Sequence, residues 1–73
     1  MGFNNLGDRL LKLRKEAEMY QREVAEDSFV STEAYSAYER NEHIPPLDAI
    51  ERLADVFNVA PQYIVGWSQE RKG

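Results

Sequence analysis

The stretch Gln21 to Glu39 reads QREVAEDSFVSTEAYSAYE, and the spacing of its apolar residues decides the fold. Val24 and Ala25 fall on one helical face, Val30 follows a corner, and Tyr35 and Tyr38 repeat at i, i+3 on a second helical run. Ser31 precedes that run and can cap it, its hydroxyl accepting a hydrogen bond from a first-turn amide that has no partner within the helix. The stretch therefore predicts two short helices meeting at a tight corner. The second spans Thr32 to about Arg40, buries Tyr35 and Tyr38, and presents Thr32, Glu33, Ser36 and Ala37.

Working outward, Asn5 can cap a helix that begins near Leu6 and ends near Glu18, with Leu6, Leu10, Leu13 and Ala17 as its buried stripe and Leu11 broadening it. Gly7 weakens its first turn. Beyond the corner, Pro45 and Pro46 lead into a helix over Leu47 to Phe57, whose Leu47, Ile50, Leu53, Ala54 and Phe57 share one face. Asp48, Glu51, Arg52 and Asp55 lie on the other face. Asn58 stops this helix, and Pro61 opens a fifth carrying Tyr63, Ile64 and Val65 before Gly66 and Trp67. The result is an all-α, five-helix bundle over residues 6–67, with a frayed N-terminus at 1–5 and a flexible polar tail at 68–73.

A chain of 73 residues holds one small core, and a domain of that size buries only ~60% of the surface its unfolded chain exposes. With no cysteine, neither a disulfide nor a thiolate–zinc site can staple it. No run approaches the ~20 apolar residues that cross a bilayer, and the first ten residues lack the apolar core of a secretory signal, so a cytoplasmic protein is expected. His43 stands without a second His or a Cys, and no nucleophile or Gly-rich phosphate loop accompanies it. No metal, no cofactor and no catalytic role is therefore expected. Nine basic and thirteen acidic residues give a net charge of −4, the opposite of a generally basic nucleic-acid-binding surface. Residues 1–40, with six basic and eight acidic side chains, do not reverse the sign, so any such surface must be a local cluster.

The pattern Gln21, Val24-Ala25, Val30-Ser31, Ser36, Tyr38 and Glu39, together with LADVFNVAPQYIVGW at 53–67, resembles the helix-turn-helix of the Cro and C1-type phage repressors, also called the XRE family. The resemblance covers Leu6 to Trp67. It implies a repressor-like bundle with the helix-turn-helix in helices two and three. It also implies a transcriptional regulator that binds double-stranded operator DNA as a homodimer, with the third helix in the major groove. Gln21, Thr32, Glu33, Ser36, Ala37, Arg40 and Asn41 would then form the DNA contact. Lys15, Arg22 and His43 are candidate phosphate contacts, and His43 would contribute when protonated. Thr32 can hydrogen-bond a base or touch a thymine methyl. Glu33 either accepts from cytosine N4 or only stabilises its own helix start. Gln21, at the start of helix two, can reach a phosphate. Asn41 can take the left-handed position that ends helix three. The resemblance also pairs Arg14 with Glu39 as a structural ion pair. It implies dimerisation through the C-terminal region, where Ile64, Val65 and Trp67 are the candidates, and Trp67 has the alternative role of closing the core.

The departures from the family pattern fall at the corner and on the DNA-facing side. Tyr20 stands where a Ser or Thr cap is usual, Ser28 where Leu is usual, and Phe29 where Gly commonly supplies a positive φ. These changes predict a remodelled turn, with either a different backbone path or Phe29 in the core slot left by Ser28, while an exposed Phe29 would point to a partner surface. Glu42 and His43 replace basic residues after helix three, leaving Arg40 as the remaining cation there. Acidity, Glu33, Ala37 and Glu42 keep open a second reading, a protein-interaction module such as an antitoxin, anti-repressor or adaptor.

Overall fold

Five helices form at the apolar repeats of the chain, in a computed structural model that describes residues 5–67 and residue 71: α1 Leu6–Glu16, α2 Gln21–Asp27, α3 Thr32–Glu39, α4 Leu47–Phe57 and α5 Pro61–Val65. Residues 1–4, 68–70 and 72–73 lie outside the described residues, and with them most of the expected free ends. Arg71 is tied down: its guanidinium pairs with Glu16 at 2.7 Å and lies 5.3 Å over the Tyr63 ring, and its carbonyl accepts from the Ala60 amide.

One core serves all five helices. Leu6, Leu10 and Leu13 of α1 meet Val24 and Ala25 of α2, Tyr35 and Tyr38 of α3, Ile50, Leu53 and Ala54 of α4, and Ile64 and Val65 of α5. At ~1.5–3 kcal/mol for each large apolar side chain removed from water, this cluster is the main stabilising term in a chain without cross-links. Three residues assigned to the core lie elsewhere. Ala17 is exposed because α1 stops at Glu16, Leu47 is 69% exposed because the first turn of α4 overhangs its neighbours, and Phe57 is only half-buried. Ala49, on the same helix, is buried in Leu47's stead.

Every helix ends in the same way. The residue after the last turn takes a left-handed conformation, at Glu18, Phe29, Asn41, Asn58 and Gly66, with φ of 57°, 62°, 61°, 56° and 86°. Its amide bonds back three residues, and the next amide bonds back five: Met19 to Arg14, Val30 to Ala25, Glu42 to Ala37, Val59 to Ala54 and Trp67 to Gln62. This Schellman arrangement satisfies helix-end carbonyls that would otherwise lack partners. Gly66, Asn41 and Asn58 are residue types that favour this conformation, so only the stops at Glu18 and Phe29 lack the usual signature.

The corner is consequently not remodelled. Phe29 holds φ 62° and is 81% exposed, while Ser28 keeps the inner position at 0% exposure. Ser28 fits there because its hydroxyl donates to the Val24 carbonyl at 2.7 Å, so no buried polar group is left unmet. The Arg52 guanidinium, expected on an outer face, reaches across from α4 and donates to the Ser28 carbonyl at 2.7 Å. A left-handed non-glycine residue costs ~1–2 kcal/mol, while glycine adds ~0.5–1 kcal/mol of unfolded-state entropy. Phe29→Gly should therefore raise stability by up to about 1 kcal/mol in urea unfolding. A loss of stability would show that the exposed ring supports the fold.

Helix starts are less uniform. Ser31 caps α3 as expected, its Oγ accepting from the Ala34 amide at 3.0 Å. Tyr20 offers no such side-chain bond, but Glu23 reaches back and its carboxylate accepts from the Tyr20 amide at 2.8 Å, so the start of α2 is better supported than Tyr20 suggests. Asn5 makes no capping bond. The Gly7 amide instead donates to Oδ1 of Asn41, 34 residues away, so α1 is capped by the residue that ends α3.

Candidate nucleic-acid interface

The interface is built on a frame that locks the corner to α1. Arg14 and Glu39 pair through two parallel hydrogen bonds, Nε to Oε2 at 2.6 Å and Nη2 to Oε1 at 3.2 Å, while Arg14 Nη1 donates to the Met19 carbonyl at 3.1 Å. The pair is largely removed from solvent, with side-chain exposures of 16% and 5%. Gln21 joins it, its amide nitrogen donating to Glu39 Oε1 at 2.8 Å. Burial pushes the Glu39 carboxyl up, but the donors around it, Arg14 first, outweigh burial and hold it below the usual carboxylate range. Tyr35 lies buried beside the pair, and burial followed by the Glu39 charge drives its hydroxyl well above the usual range for tyrosine. That hydroxyl sits close enough to feel Glu39 but has no hydrogen bond of regular geometry.

On this frame, Gln21, Thr32, Glu33, Ser36 and Arg40 line one shallow depression that runs from the start of α2 along the length of α3. The expected contact set is thus mostly brought together, with two exceptions. Ala37 is 5% exposed and belongs to the interior, so it is not on the presented face. Asn41 takes the left-handed position foreseen for it, but its side chain turns to α1, accepting from Gly7 and lying 3.5 Å from an Asp8 carboxylate oxygen. Gln21 has one amide N–H committed to Glu39, leaving the second for an outside acceptor. Lys15, Arg22 and His43 are exposed but do not line the depression.

Arg40 is not a free cation. Its Nε and Nη2 donate to the two carboxylate oxygens of Glu42 at 3.0 and 2.9 Å, and Nη1 donates to Ser36 Oγ at 2.5 Å. Both side chains of the pair are more than half exposed. The hydrogen bond from Arg40 is the main reason that the Glu42 carboxyl sits below its ordinary range.

A second surface is apolar. Ile44, Leu47, Ile50, Pro61, Val65 and Trp67 line a groove between the loop after α3, the start of α4 and α5. Ile44, Leu47 and Trp67 are 62%, 69% and 72% exposed. Of the three candidates for a dimer contact, Ile64 is fully buried and is excluded from any surface, Val65 is 7% exposed at the groove floor, and Trp67 stands open instead of closing the core. Ile44 and Leu47 were not among the candidates, because helical periodicity put Leu47 inside and gave no information about the loop. Among the described residues no three His, Cys, Asp or Glu side chains are grouped to hold a metal ion, and no helix is long and apolar enough to cross a membrane.

Comparison with known proteins agrees with this geometry. A family model described as helix-turn-helix matches residues 10–64. The chain is 32% identical over 68 residues to the HTH-type transcriptional regulator ImmR of Bacillus subtilis (strain 168), a match covering 93% of this chain and 54% of that protein. It is 32% identical over 62 residues to the uncharacterized HTH-type transcriptional regulator YobD of the same organism, covering 85% and 55%. The chain therefore spans about half the length of these curated relatives. Among solved structures, the DNA-binding domain of the P22 C2 repressor superposes with a TM-score of 0.82 at 26% identity, covering 90% of this chain and 87% of that one. The N-terminal DNA-binding domain of SinR from Bacillus subtilis gives 0.80 at 27% identity, covering 84% and 90%.

Proposed function

Because this chain belongs to the helix-turn-helix family of Cro/C1-type regulators, a family of DNA-binding proteins and not of enzymes, we propose that it is a sequence-specific DNA-binding transcriptional regulator acting in the cytoplasm as a repressor. The observation that carries the proposal is the gathering of Gln21, Thr32, Glu33, Ser36 and Arg40 on one accessible face of α2 and α3, in a fold shared with the DNA-binding domains of the P22 C2 repressor and of SinR. In this reading α3 enters the major groove. Thr32 and Glu33 meet base edges from its first turn, Ser36 lies one turn on, and Arg40 and the remaining Gln21 N–H reach the phosphates that position the helix.

Two copies acting together fit the dimensions. Consecutive major grooves on one side of a duplex are ~34 Å apart, and a domain of 26 × 22 × 21 Å allows two adjoining copies to reach both. The exposed Ile44, Leu47 and Trp67 supply an apolar face for that contact.

The test is selection of bound duplexes from a random library at low salt, repeated with Thr32→Ala and Glu33→Ala. A palindromic preference is expected from the native protein. Each variant should change which base is preferred at one symmetric pair of positions, by about 1–3 kcal/mol of discrimination where a side chain reads a base edge. Uniformly weaker binding with unaltered preference would remove these residues from base readout. Recovery of no preferred duplex would favour the protein-interaction reading, which the open Phe29 ring and the internally neutralised Arg40 support.

A further inference from the structure

We propose that Glu42 is a built-in competitor for the operator phosphate: in the free protein it occupies the guanidinium edge of Arg40 that a phosphate would take, and so sets how tightly and how salt-sensitively the domain binds DNA. The inference rests on the DNA-binding reading above and concerns regulation of the same face. Its basis is geometric. The Nε–Nη2 edge of an arginine is a fork matched to two oxygens of one anion, carboxylate or phosphate alike, and here both of its donors are on Glu42 at 3.0 and 2.9 Å. With Nη1 on Ser36, three of the five guanidinium N–H groups are engaged within the protein. Ser36 and Arg40 both line the depression at α3, so the captured side chain belongs to the contact surface itself.

Two residues of sequence separation make the capture a local matter. Asn41 turns the chain through its left-handed conformation, and the Glu42 amide bonds back to the Ala37 carbonyl at 2.9 Å, which brings the Glu42 side chain against the end of α3. A phosphate that takes the Nε–Nη2 edge of Arg40 must displace the carboxylate already seated there, and it leaves that carboxylate as an uncompensated negative charge beside the DNA backbone. The native protein therefore binds with less cation release than its arginine would otherwise provide.

The test uses a duplex recovered by selection with the native protein, titrated over a range of salt with Glu42→Gln, Arg40→Ala and the double variant. Both side chains are more than half exposed, so the substitutions leave the core intact. Glu42→Gln is expected to tighten binding about three- to tenfold per protomer at low salt. It should also steepen the slope of log K against log salt by up to ~0.9 per protomer, the value of one regained phosphate contact. In the Arg40→Ala background the same change should give a much smaller gain, because its benefit runs through the arginine. An equal gain in both backgrounds would reduce Glu42 to a general repulsive charge and overturn the proposal, as would unchanged affinity and slope. If selection with the native protein recovers no duplex, it is repeated with Glu42→Gln and with the double variant: a duplex bound by Glu42→Gln alone means that competition at Arg40 masks the site and the proposal stands, and one bound equally by both overturns it. If neither binds, the DNA-binding reading itself fails and the proposal goes with it.

Discussion

Arg14→Ala is expected to destabilise the domain by about 3 kcal/mol, since removing one member of a pair withdrawn from water leaves the other as an uncompensated charge. Glu39, with its side chain 5% exposed, would retain Gln21 as its side-chain donor, and the Met19 carbonyl would lose its guanidinium partner. For a 73-residue domain such a loss corresponds to a fall in Tm of roughly 12–24 °C. Replacing both charges at once, as Arg14→Met with Glu39→Met, should recover most of the loss, because the desolvation cost of both ions disappears together. A double variant as unstable as the single one would mean that the contribution is packing of the arginine stem and not charge pairing. The pair also predicts acid sensitivity. The carboxyl of Glu39 titrates lower in the folded than in the unfolded chain, where ~4.3 is usual, so its contribution is complete above that unfolded value and is lost as pH falls through the folded one. Urea midpoints of the native protein should therefore drop below about pH 4, and the double variant should show a flatter acid limb.

Gly7→Ala is the second large effect expected, a loss of about 1–3 kcal/mol despite the better helix propensity of alanine. A Cβ at this position would lie 2.5 Å from the carbonyl oxygens of both Tyr38 and Glu39, and these are backbone atoms of α3 that no rotamer change can clear. The first turn of α1 would have to lift from the end of α3. That movement would also strain the bond from the Gly7 amide to Asn41 and the seat of the Arg14–Glu39 pair. Because the end of α3 carries Arg40, loss of DNA affinity should accompany loss of stability. A Gly7→Ala protein as stable as the native one, in thermal and urea unfolding, would show that the two helices are free to separate at no cost.

The helices themselves were readable because each is a local pattern. The i, i+3 and i, i+4 repeats of Leu10 and Leu13, Tyr35 and Tyr38, and Ile50, Leu53 and Ala54 put those side chains in the one core. Ser31 as the cap of α3, Asn41 as a left-handed stop and Asn58 as the end of α4 were legible for the same reason. The corner was misread at Ser28 and Phe29, where size and hydrophobicity suggested an exchange of places. The Schellman bonds at the end of α2 and the hydrogen bond from Ser28 to Val24 outweigh the cost of a left-handed Phe and a buried hydroxyl. Those bonds are invisible to apolar periodicity.

At the candidate interface the same division holds. Thr32, Glu33 and Ser36 follow from the helical phase of α3, and Gln21 from its place at the start of α2, and the four meet in one depression with Arg40. Ala37 shares the helix with them but falls at 5% exposure, because the phase of a helix defines which side is buried and not how far its neighbours overlap the boundary. The apolar groove was hidden for the converse reason, Leu47 having the right phase but standing at the groove's edge, where no neighbouring helix covers it.

The amino-acid sequence by itself thus determined the number and order of the helices, the core they share and the corner that defines the family, because these depend on residues three or four apart. Only the tertiary structure decided that Gly7 must be glycine, that Asn41 caps α1, that Arg52 holds the end of α2 and that Ala37 is inside. These facts depend on where helices cross, and a crossing brings together residues whose separation along the chain carries no period.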